Sequence, residues 1–209
     1  EKMAVIIQEL IGQNYGDSFY PTCSGVTQSY NYYPVSYMER EEGVGFIALG
    51  FGKIVVEGEK VLRFSPTYPA VLPQFYSMRS TIQNSQSSFF GLNMNMNINP
   101  LKKGEEGNLK RYNLEKAEKD GALKFTASVI CEQDNLIRDS LNYSGARVLT
   151  FAPLLKYNKI PLCEILNNIL EAGRLALGCP VEIEFAINIY DDGTPAEFCL
   201  LQIKPMVIR

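Results

Sequence analysis

With 209 residues, 46% of them hydrophobic and 21% charged, and a net charge of −3, the chain has the make-up of a globular protein of one large domain or two small ones. It carries no basic footprint for nucleic acid, no apolar run long enough for a membrane, and no signal peptide. Histidine is absent, which excludes Ser-His-Asp and Cys-His catalysis and any histidine metal ligand.

Met3 to Ile11 is a short apolar run rich in β-branched residues and predicts a buried strand. "NYGDSFYPTC" predicts a loop by its Gly, Asp, Ser and Pro content, and "SGVTQSY" a strand entered through Gly25. "EEGVGFIALGFGKIVVEG" has a strand-like core, then a glycine turn and a short apolar element. Its glycines near Lys53 resemble a phosphate loop, but the GK[ST] ending and a long following helix are missing. Arg79 to Leu92 predicts a helix with Ile82, Phe89 and Phe90 toward the core. From Asn93 to Gly121 the chain turns polar and charged, predicting a mobile excursion with one or two helical turns over Leu114 to Lys119. "ALKFTASVI" and "ARVLTFA" predict strands. Leu162 to Leu177 is the clearest helix, with Leu162, Ile165, Leu166, Ile169 and Leu170 at helical spacing, Pro161 before it and Gly178 then Pro180 after it.

The chain closes on "VEIEFAINIYDDGTPAEFCLLQIKP", two alternating runs around a turn. A two-residue loop would set Glu184 opposite Leu201 and Ile183 opposite Gln202, mixing polar with apolar. A three-residue loop at Asp192 to Thr194, with Gly193 supplying positive φ, shifts the pairing by one. Phe185 then faces Leu201, Ile183 faces Ile203, Glu184 faces Gln202 and Glu182 faces Lys204. Two readings of the polar face stand. One is a solvated surface with a Glu182–Lys204 ion pair worth under about 1 kcal/mol. The other is a site for a hard cation and phosphate, since magnesium takes oxygen ligands and shares them with nucleotide phosphates.

Cys23, Cys131, Cys163, Cys179 and Cys199 form no CxxC pair and read as reduced, mostly buried thiols of a cytoplasmic protein. The tyrosine-rich "QSYNYYPVSY" reads as amphipathic packing or an internal interface before it reads as a sugar-stacking surface. The start on Glu1, without methionine, suits a piece of a longer protein or a processed terminus. Strands mixed with few helices, ending helix then hairpin and without an internal repeat, predict an α+β layer architecture.

Four stretches in the same order resemble the ATP-binding domain of the phosphoenolpyruvate synthase and pyruvate phosphate dikinase family. "MAVIIQEL" is similar to M-A-V-x-V-Q-x-M, "CSGVTQS" to S-G-V-x-F-T, "GFGKIVVEG" to G-L-G-E-x-V-V-x-G, and "EIEFAINIYDDGTPAEFCLLQIKP" to D-I-E-W-A…L-x-I-L-Q-A-R-P. They cover the first third and last fifth of the chain; about 66–157 matches none of these motifs and reads as a large insertion or a divergent lineage. The resemblance implies an ATP-grasp fold, mixed or antiparallel sheet with packed helices, of which residues 1–209 would be the second subdomain.

It further implies that Glu184 and Gln202 hold magnesium and that Lys204, where the family has arginine, meets a phosphate as the catalytic cation. Gln8 and Glu9, on the stretch from Val5, would lie along the adenine. Three departures stand out. Lys53 replaces a glutamate, Lys204 loses the planar fork of arginine, and Phe185 replaces tryptophan. The implied parent is a phosphotransferase in which ATP phosphorylates a carrier histidine and then pyruvate. Its partners here would be ATP, magnesium, the first ATP-grasp subdomain, a phosphohistidine domain and a pyruvate-binding domain. The chain alone, lacking histidine, would be inactive. The alternative is a degenerate module acting as a nucleotide sensor or interaction domain; a carbohydrate-binding β-module has only the tyrosines behind it.

Overall fold

A computed structural model of the chain describes residues 3–95 and 107–206. Its frame is a five-stranded antiparallel sheet built from β3 (Cys23–Gln28), β4 (Val44–Ala48), β5 (Leu62–Phe64), β11 (Val181–Asn188) and β12 (Glu197–Pro205), in the order β12-β11-β3-β4-β5. A second sheet joins β1 (Gln13–Asn14), β2 (Ser18–Tyr20), β6 (Ser88–Asn93) and β7 (Leu109–Asn113). A third holds β8 (Ala127–Cys131) between β9 (Leu136–Arg138) and β10 (Ala146–Leu149). The α-helices among the described residues are α1 (Lys53–Val56), α2 (Met78–Asn84), α3 (Leu114–Lys119), α4 (Ala152–Leu155) and α5 (Leu162–Leu177). All strand pairs among the described residues are antiparallel and the class is α+β, as the mixed pattern predicts.

One apolar cluster runs through all three sheets. It takes Ile47, Phe64, Ile183 and Phe185 from the first, Tyr20, Phe89 and Tyr112 from the second, and Ala127 and Leu149 from the third. Helix α5 buries Leu162, Leu166 and Leu170 against it, as their spacing requires, and ends at Gly178 in the left-handed region (φ 67°). Two glycines permit close packing on this face. A Cβ on Gly25 would lie 2.2 Å from the Phe46 carbonyl oxygen and 2.5 Å from the Phe185 ring, and one on Gly173 would lie 2.4 Å from Ile203 Cδ1.

The structure corrects several expectations. Met3 to Ile11 is neither strand nor buried: it has no regular secondary structure, with Met3, Ile6 and Ile7 about nine-tenths exposed. "NYGDSFYPTC" contains the β1–β2 hairpin, turned at Gly16 (φ 83°) with the Asn14 side chain accepting from the Gly16 amide. The helix expected over Arg79 to Leu92 stops at Asn84. Ser85 and Gln86 are engaged by the backbones of Leu149 and Leu49, and β6 follows. Consecutive Phe89 and Phe90 therefore enter two different cores from opposite faces of β6, while Ile82 is half exposed. "ALKFTASVI" begins as a 3₁₀ turn over Ala122–Phe125 before β8. Of the excursion expected over 93–121, residues 107–121 carry β7 and the expected helix α3; 96–106 lie outside the described residues.

The closing hairpin keeps the expected pairs Glu182–Lys204, Ile183–Ile203 and Glu184–Gln202. Phe185, however, sits opposite Leu200 rather than Leu201, because a β-bulge at Leu201 adds one residue to β12. The loop is also longer than three residues, since the ladder ends at Asn188 and Glu197. Thr22 Oγ1 takes the Ile189 amide at 2.9 Å, and Pro195 has no N–H with which to continue the pairing. At the tip, Gly193 does adopt positive φ (89°), and the Thr194 amide donates to the Asp192 carboxylate.

Candidate functional site

One face of the main sheet is buried on the core. The opposite face is covered at one end by α1 and open at the other. Near α1, Ala48, Ile54, Val61 and Phe90 form a small second cluster, and Ser24 Oγ donates to the Gly50 carbonyl at 2.6 Å. The open end is a cleft of about 590 Å³. Period-two alternation decides what lines it. Reading across the ladders, Gln202 pairs with Glu184, Glu184 with Val26, Val26 with Phe46, and Phe46 with Arg63. The row beside it runs Lys204, Glu182, Gln28. Glu182, Glu184, Lys204, Gln28, Phe46 and Arg63 all line the cleft, with Val55 and Val56 of α1 among its apolar residues.

The cross-strand ion pair expected of a solvated face is present, and a second one accompanies it. Lys204 Nζ lies 2.9 Å from Glu182 Oε1 and 3.1 Å from Glu184 Oε1. Hydrogen bonds to Glu182 and then Glu184 raise the Lys204 ammonium above its ordinary pKa. Gln28 Nε2 donates to the other oxygen of Glu182 at 2.6 Å. Gln28 escaped the sequence-based reading, although it closes the strand pattern "SGVTQ" at a position that alternation puts on the polar face.

Glu184 and Gln202 sit directly across the ladder from each other, with the Glu182 carboxylate one pair along. This hard-oxygen donor set fits magnesium, provided phosphates and water complete the coordination. Among the described residues, no group of three or more His, Cys, Asp or Glu side chains is placed to hold a metal ion. Beside this corner, Gln8 Nε2 donates to the carbonyl of Leu201, the bulge residue, at 2.9 Å. The coil carrying Gln8 and Glu9 therefore follows the outer edge of β12. The Cys199 thiol there is raised by burial and then by the charges of Glu197 and Glu9. Lys53 heads α1 and pairs with Glu57 one turn on, 3.0 Å away. In the tyrosine segment Tyr30 meets Tyr32 edge-on, Tyr37 donates to the Val71 carbonyl, and Tyr33 is left exposed.

No helix among the described residues is long and apolar enough to cross a membrane. No curated protein matches the chain in sequence. The family model of the pyruvate phosphate dikinase AMP/ATP-binding domain matches residues 1–209, and the chain belongs to that family.

Proposed function

We propose that this domain is the ATP- and magnesium-binding second subdomain of an ATP-grasp unit in a larger, cytoplasmic, phosphoenolpyruvate synthase-like phosphotransferase. In that parent, ATP phosphorylates a carrier histidine and then pyruvate, both on other domains. The observation that carries this reading is the ladder register, which faces Glu184 to Gln202 and Glu182 to Lys204; Glu182, Glu184 and Lys204 line one cleft, and Gln202 lies beside it. Bound magnesium supplies neutralisation of phosphoryl charge. Glu184 and Gln202 provide its protein oxygens. Lys204, once released from Glu184, is the cation for a phosphoryl oxygen, and Gln28 keeps Glu182 oriented meanwhile. Gln8 and Glu9 stand on the adenine side. Residues 66–157 are an elaboration of this same domain, a view supported by the core they share with the main sheet.

The test is steady-state kinetics of the parent protein with varied magnesium, beside a thermal melt of each variant. Glu184→Gln should lower phosphoryl transfer more than about a hundredfold and leave the melt unchanged. Lys204→Arg should keep or improve activity, and Lys204→Met should impair it. Parental kinetics and an unchanged melt in Glu184→Gln would defeat the catalytic reading. The second reading, a nucleotide sensor, is favoured by one observation: Lys204 already pairs with both carboxylates. It predicts ATP binding that does not depend on magnesium. Under the leading reading the isolated 209-residue chain forms no phosphoenolpyruvate and binds ATP weakly.

A further inference from the structure

The end of the cleft opposite Glu184 belongs to Arg63. Three strand spacings separate the two backbones, roughly 14 Å, with Val26 and Phe46 between them. The guanidinium is held from one side only. Its Nη2 donates to Asn31 Oδ1 at 2.8 Å and to the Tyr33 carbonyl at 2.6 Å, and its central carbon lies 5.9 Å from the Phe46 ring centroid. Nε is buried without a hydrogen-bond partner. No carboxylate among the described residues pairs with Arg63, and Glu59, which also lines the cleft, is taken by Arg111. Lys60 brings a second positive charge to the lining.

Leaving a shielded N–H unpaired and a half-buried cation without a counter-charge costs free energy. Asn31 and Tyr33 offer only neutral oxygens, so the binding of the tyrosine loop does not remove that cost. An oxyanion in the cleft would remove both deficits, because the guanidinium fork presents parallel N–H groups that match phosphate geometry. The residues around it are otherwise occupied. The Gln74 side chain bonds the backbone of Arg63 and Val61, and Asn84 bonds the Gln74 carbonyl.

We infer that Arg63, assisted by Lys60, forms an anion subsite for a phosphate-class oxyanion at the β5 end of the cleft, separate from the Glu184–Gln202–Lys204 corner. Nη2 stays anchored on Asn31 and Tyr33, and a small turn of the guanidinium about that anchor brings the Nε edge to the ligand. The subsite rests on the cleft itself and does not require that Glu184 hold a metal.

The experiment follows the arginine Nε–H resonances of the ¹⁵N-labelled 209-residue chain during titration with inorganic phosphate, against sodium chloride at matched ionic strength. Through-bond assignment identifies Arg63, so the primary readout needs no variant. The expected result is a saturable shift of the Arg63 signal with a millimolar midpoint, retained in Glu184→Gln and weakened several-fold in Lys60→Met. An Arg63 signal unmoved by phosphate, or moved equally by chloride, overturns the subsite whatever the fate of the magnesium reading. A shift lost in Glu184→Gln overturns its separateness. Adding ATP with magnesium then distinguishes the source of the anion. Displacement of phosphate identifies the far end of one extended ligand, and simultaneous binding a second, free anion.

Discussion

Asp139 is held in place by three donors. Ser128 Oγ lies 2.8 Å from one oxygen, and Lys156 Nζ and Tyr157 OH lie 2.8 Å and 3.0 Å from the other. Burial alone would raise this carboxyl, but the bonds from Lys156, Ser128 and Tyr157 together hold it below the usual carboxylate range. A depressed folded-state pKa stabilises the protein above the unfolded value, near pH 4, and the contribution is lost as pH falls through the folded value. The urea midpoint should therefore drop on acidification below about pH 4, and Asp139→Asn should flatten that drop while lowering the midpoint at neutral pH. A variant with the same acid slope as the parent would remove Asp139 from the account. Single residues of this kind are the least legible in the sequence. Arg63 looks like any charged strand residue, and only the ladder puts it in line with Glu184. The pairing of Glu184 with Gln202 and of Glu182 with Lys204 is legible in the sequence, because alternation on two facing strands leaves one register that keeps apolar opposite apolar.

Helix α5 was equally readable, since Leu162, Leu166 and Leu170 repeat at its period and Gly178 ends it. Elements failed where the pairing partner lies far away or is missing. "MAVII" has the composition of a strand, but forms no ladder and stays exposed. The sequence predicts a helix carrying adjacent Phe89 and Phe90 toward one core, whereas the strand that forms sets them in two cores on opposite sides. The two close-packing glycines give contrasting expectations. Gly25→Ala would press a methyl onto the backbone oxygen of Phe46, which cannot swing away, and should cost about 3 kcal/mol. Gly173→Ala meets the tip of the Ile203 side chain instead, and gains about 1 kcal/mol of helix propensity. Its stability should stay within about 1 kcal/mol of the parent. Urea unfolding of both variants checks the contrast, and equal losses would contradict it.

At the scale of the whole molecule, the main sheet has unequal edges. β5 is guarded by Gln74, which bonds its backbone, while nine-residue β12 leaves Leu200 and Ile203 about two-fifths exposed beside the apolar coil. Native-state hydrogen exchange should rank these regions. Amides of β11, paired on both sides, should exchange slowest, and those of residues 3–10 fastest; protection of the coil comparable to β11 would mean that it is laddered in solution. The bulge at Leu201 has a consequence for how this family can vary. It divides the closing hairpin in two, so a change of length in the loop from 189 to 196 has its slack taken up between Asn188 and the bulge. The site end is fixed independently by α5, by Gly178 and by pairing to β3. The tip is thus free to gain or lose residues across lineages without moving Glu184 relative to Gln202, and it is the place to graft a tag or a reporter.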